Sequence, residues 1–122
     1  VMPISALWCG PGNQEAGAIL PGHYAEYKPM GGQFLTVLID GPTPGDPATW
    51  YNLESWANTY NIDYSVVLDP AEQVMPLYEA AFPGNMIIRT SDMKIIEVVA
   101  GVPPQSFWNT YESVLDGSYV GP

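Results

Sequence analysis

A chain of 122 residues with only three Lys and Arg against thirteen Asp and Glu carries a formal net charge of −10, which argues against nucleic acid or an anionic membrane as partner, since neither phosphate array would be neutralised. With 47% hydrophobic residues, four Trp and eight Tyr, it has the composition of one globular domain able to bury a core unaided. No apolar run approaches the roughly 20 residues that a membrane-crossing helix needs.

The first predicted element is a short buried strand, "VMPISALW". Pro3 removes a donor there and is expected to put the start of the strand at a sheet edge. This abrupt opening in a core strand, with no visible secretory leader, leads us to expect that an upstream segment was trimmed. Gly10, Pro11 and Gly12 break the strand. From Asn13 to about Tyr27 the apolar spacing predicts a helix, kinked at Pro21. After the turn "KPMGGQ", the run "FLTVLID" reads as a strand covered on both faces.

The loop "GPTPGDP" leads into "ATWYNLESWANTYN", an amphipathic helix with Trp50, Leu53, Trp56, Ala57 and Tyr60 on one stripe. "YSVVLD" is a strand, and "PAEQVMPLYEAAF" a short helix broken by Pro76. "NMIIRT" and "KIIEVVAG" form an antiparallel hairpin across "SDM". A last helix, "PPQSFWNTYESVLDG", starts at proline and stops at Gly117, and residues 118–122 are a tail. Helices between the early strands require parallel crossovers, and the hairpin adds antiparallel strands. The expected domain, residues 1–117, is therefore α/β, a mixed central β-sheet with helices on both faces.

The chemistry gathers at the first strand–helix junction, Trp8-Cys9-Gly10-Pro11-Gly12. Backbone N–H groups and the helix dipole at such a place favour thiolate over thiol, and a thiolate attacks disulfides. Cys9 is the only cysteine, so no internal disulfide forms and cysteine usage does not fix the compartment. The scarcity of Lys and the richness in Gly, Pro, Tyr and Asn point to an extracytoplasmic protein. His23, the one histidine, cannot assemble a metal cluster with Cys9 without borrowed carboxylates, so no metal site is expected. Asp40, Asp46 and Asp69 read as turn carboxylates, with a calcium site as the alternative.

The element order and the Trp-Cys-Gly-Pro start resemble the thioredoxin-like fold, and more narrowly the TlpA/ResA-like group of extracytoplasmic thiol–disulfide oxidoreductases. Glu15 stands where that group often has an acidic residue below the loop, and Phe82-Pro83 where it has its cis-proline. The helix over "ATWYNLESWANTYN" resembles its extra helix, and Gly101 a common glycine at the end of the last strand. The resemblance implies Cys9 and Glu15 as catalytic residues and a substrate groove made by Trp8, Gly10, Pro11, Gly12, Phe82 and Pro83. It implies protein or small-molecule thiols and disulfides as partners, no cofactor, and a periplasmic or lipoprotein-anchored location.

This chain departs from the group at four positions. Gly12 replaces the second cysteine, Asn13 a basic residue, Gly17 a proline, and Phe82 a small or β-branched residue. With Gly12 in place Cys9 should form mixed disulfides without resolving them. The alternative is a redox-inactive module that holds extended segments beside the cis-proline. Peroxiredoxins share the fold and work with one cysteine, but they need a nearby hydroxyl and an Arg. Leu7 and Trp8 occupy the expected place of that hydroxyl, and the only Arg, Arg89, lies on a late strand. Peroxidase activity is therefore not expected.

Overall fold

The computed structural model describes residues 1–78 and 81–121. Its five-stranded sheet has the order β3-β2-β1-β4-β5. These are β1 (Ile4–Ala6), β2 (Leu35–Asp40), β3 (Ser65–Leu68), β4 (Gly84–Arg89) and β5 (Lys94–Ala100). β1 pairs parallel with β2, and β2 with β3, while β4 runs antiparallel to both β1 and β5.

Pro3 does not put the first strand at an edge. β1 is central, and all three of its residues are buried. The proline just precedes the strand, where its missing N–H costs no ladder bond and its carbonyl still accepts from Val37 N–H at 2.8 Å. β2 is buried at five of its six positions, as its apolar run requires.

The first helical segment begins three residues earlier than its apolar spacing indicates. It comprises α1 (Gly10–Gln14), a π-helical turn (Glu15–Ile19) and α2 (Leu20–Tyr27). The π turn forms where Leu20 N–H reaches back five residues to Glu15 O. Pro21 follows with no N–H to donate and a ring that crowds the preceding turn, so the helix widens before it. α3 (Trp50–Thr59) is closed at its start by a capping box between Thr49 and Asn52. α4 (Gln105–Leu115) ends the fold.

Alternation along the strands assigns the two faces. On one, Leu38 meets Ala16, Leu53 and Trp56 of the helices, and Ile87 meets Leu20, Tyr27, Phe107, Trp108 and Tyr111. On the other, Ile4, Val37, Ile39 and Met86 are covered by Val74, Met75, Tyr78 and Phe82. That second cover carries a single 3₁₀ turn (Met75–Leu77) where a short helix was expected; Glu79 and Ala80 of that expected helix lie outside the described residues. Asp69 gives the physical reason. Its carboxylate accepts from the N–H groups of Gln73 and Val74 at 3.0 and 2.9 Å, drawing them into a turn, and Pro76 removes another donor.

Candidate active site

Cys9 caps the first helix. Its backbone is extended (φ −84°, ψ 101°), and Gly12 N–H points at its sulfur with a separation of 3.4 Å. The residue is only 2% exposed. Gly10 and Pro11 lie on the surface, and Gly12 is buried.

Gly12 makes a close approach that any side chain would disturb. A Cβ there would lie 3.2 Å from Cys9 Sγ and 3.5 Å from Cys9 Cβ, and would overlap the hydroxyl of Ser5. Ser5 is buried in β1, and among the described residues its Oγ has no hydrogen-bond partner.

Trp8 is the partly exposed wall of the site. Its indole N–H donates to Asp40 Oδ2 at 2.9 Å, and the same oxygen accepts from Gly45 N–H at 3.0 Å. Its ring meets Phe82 edge to face at 5.3 Å. The Phe82–Pro83 peptide bond is cis. β1 and β4 align Ile4 with Gly84, which sets the Phe82-Pro83 segment alongside the end of β1. Pro83 O accepts from Gly101 N–H at 2.7 Å, and Gly101 has a φ of 80°, a conformation glycine adopts without strain. Asn13 joins the loop to α3: its Nδ2 donates to Leu7 O at 3.0 Å, and its Oδ1 accepts from Trp56 Nε1 at 2.9 Å.

Glu15 is buried under the helix, 1% exposed. Desolvation pushes its carboxyl up to about 7, although two hydrogen bonds from Asn85 Nδ2, at 3.0 and 3.2 Å, pull the other way. The carboxyl is therefore mostly neutral in mild acid and mostly ionised in mild base.

The structure thus brings Trp8, Cys9, Gly12 and Phe82 to one end of the sheet, with Glu15 beneath. Reading the sequence missed Ser5, Asn85 and the partner of Asp40. A signal existed for two of them: Ser5 and Asn85 are polar residues inside otherwise apolar strands, and such residues are buried for a reason. Asp69 is occupied by its own turn, Asp46 is exposed, and His23 stacks on Trp108 at 3.8 Å.

No family model and no curated protein sequence matches this chain. Solved structures do. A protein assigned as the thiol:disulfide interchange protein DsbE, from Chlorobium tepidum, superposes with a TM-score of 0.76 at 22% identity, covering 93% of this chain and 77% of that one. The pneumococcal exposed lipoprotein thioredoxin Etrx1, from Streptococcus pneumoniae strain TIGR4, gives 0.64 at 19% identity, covering 92% and 82%. At such identities it is the course of the backbone that is shared, and together with the sheet order and the helices above it establishes that this chain has the thioredoxin-like α/β fold.

Proposed function

We propose that this domain carries out one half of thiol–disulfide exchange: Cys9 attacks a disulfide, forms a mixed disulfide and retains it. The carrying observation is the hydrogen bond from Gly12 N–H to the Cys9 sulfur at the start of the first helix, which sets a backbone donor against the reacting atom, combined with the missing side chain at position 12. The thiolate displaces one sulfur of the incoming disulfide as its leaving thiolate. Release needs a second thiolate, and Cys9 is the only cysteine in the chain. An external thiol must supply it. Trp8, Gly10, Pro11, Gly12, Phe82 and Pro83 form the groove for the incoming partner in this reading, and Glu15 adjusts the charge below it. The names of the two structural neighbours, an interchange protein and an exposed lipoprotein, support disulfide partners and an extracytoplasmic location.

Glutathione disulfide tests the reading by intact mass. The expected product is a one-to-one adduct on Cys9 that persists until thiol is added. Because ionised Glu15 opposes a second negative charge nearby, Glu15→Gln should speed adduct formation at neutral pH; an unchanged rate would remove Glu15 from the chemistry.

The burial of Cys9 favours a second reading, a binding module that holds extended segments against Trp8 and Phe82 without exchange. A Cys9 that stays unmodified for hours in the native protein, yet reacts at once in denaturant, would select it.

A further inference from the structure

We propose that Cys9 also reduces small hydroperoxides, holding the product as a sulfenic acid whose oxygen is bonded by the Ser5 hydroxyl. The inference rests on the reading that the Cys9 thiol is reactive, and it adds an oxidant and a residue. Ser5 is 3% exposed, and its Oγ has no partner among the described residues. A buried hydroxyl without a partner is unfavourable, so the site is poised for one more polar atom. The hydroxyl borders the spot where a side chain on residue 12 would begin, and Cys9 Sγ is 3.2 Å from that same spot. With glycine at position 12 no side chain stands between sulfur and hydroxyl. An oxygen added to the sulfur on that side would meet the Ser5 O–H, while Gly12 N–H approaches the sulfur itself at 3.4 Å. The hydroxyl that Leu7 and Trp8 do not supply comes from the strand behind them, whereas Arg89 ends β4 five residues beyond Gly84, so the step proposed is a slow oxidation of Cys9 without the guanidinium that peroxiredoxins use. Accessibility selects the oxidant: a sulfur in a residue 2% exposed is reached more easily by a peroxide of few atoms than by a protein disulfide.

A low-molecular-weight thiol closes the reaction cycle. The thiolate sulfur attacks the distal peroxide oxygen, which keeps its hydrogen. The S–O bond forms as the O–O bond breaks. Sulfur gives up two electrons, and the departing oxygen takes a proton from water and leaves as water or an alcohol. No second cysteine exists to condense with the sulfenic acid. A low-molecular-weight thiol attacks it, expels water and leaves a mixed disulfide; a second thiol frees Cys9 as the small disulfide departs.

The experiment compares two reagents on three proteins: the native chain, Ser5→Ala, and Gly12→Ala, whose methyl group would displace the Ser5 hydroxyl. Each receives one equivalent of hydrogen peroxide, followed at intervals by dimedone, which traps sulfenic acid, with detection by intact mass. Each is also treated with glutathione disulfide. The native chain should give a dimedone adduct on Cys9. Losing one hydrogen bond to the sulfenic oxygen should shorten the trappable lifetime about tenfold in either variant, with sulfinic acid replacing it, while Ser5→Ala still forms its glutathione adduct. Either variant suffices if the other does not fold. A native chain that takes up glutathione but yields no dimedone adduct overturns this proposal and leaves the exchange reading standing. Equal lifetimes in the native and variant chains overturn it as well. Silence toward both reagents removes both readings.

Discussion

At the scale of single residues, the buried carboxyl of Glu15 ties stability to pH. Its carboxyl titrates at about 7 in the folded chain and at 4.5 in the reference state, so the folded protein holds that proton more tightly. Stability from this group is therefore complete below pH 4.5, falls as pH rises toward 7, and is lost above it. The shift corresponds to roughly 3 kcal/mol. The buried amino group of Val1, lowered to about 5 by desolvation, acts in the opposite direction over the same range, so the native chain should lose about 3 kcal/mol more stability than Glu15→Gln between pH 5 and pH 8 in urea unfolding. An equally steep drop in the variant would assign the pH dependence to the acidic surface instead. Glu15 was singled out by the resemblance, six residues after Cys9, and not by composition or periodicity. Ser5 was not, because its approach to Gly12 depends on how a strand and a helix stack, which no short spacing encodes.

At the scale of elements, the first helix and the strand beneath it act as one fitted pair. A Cβ at position 12 would stand 3.5 Å from Cys9 Cβ, at the short end of the range that disulfides use, about 3.5–4.5 Å. Gly12→Cys should therefore be able to close a disulfide with Cys9, provided the Ser5 hydroxyl turns away. Ser5→Ala removes that obstacle. The double variant should form the internal disulfide more completely than Gly12→Cys alone, by thiol titration, and should reduce insulin faster. Equal behaviour of the two would show that Ser5 yields freely. The apolar stripe of α3 was readable in part: Leu53 and Trp56 face the core and Tyr60 packs against it, but Trp50, expected on the same stripe, stands in the first turn and is 66% exposed. The start of the first helix was not, because Cys9 caps it with a sulfur and its first turn contains two glycines and a proline. The π turn was legible only as a kink, since Pro21 announces a disruption without stating its form. The missing short helix had no periodic signal against it; a single carboxylate, Asp69, captured the backbone donors it needed.

At the scale of the molecule, the alternation of helices and strands was enough to predict a mixed sheet, because crossovers and hairpins leave few ways to pair. How thinly its second face is covered was not legible, since that depends on side chains such as Tyr78, whose hydroxyl donates to Met2 O across the sheet end at 2.6 Å. The strand order also leaves β3 with an open side. Its four residues, Ser65–Leu68, carry no charge, and Val67 is 40% exposed. An unpaired row of backbone donors and acceptors is a template on which another chain can add a strand. The negative charge shared by two copies opposes such pairing, and it vanishes near pH 4.1. Light scattering should therefore rise sharply as the protein is acidified toward that value, and Val67→Lys, which places a charge on the open strand, should suppress the rise when each protein is measured at its own isoelectric point. Scattering unaffected by the lysine would locate the association elsewhere. The acidic composition would then serve as the colloidal guard of an unprotected sheet edge.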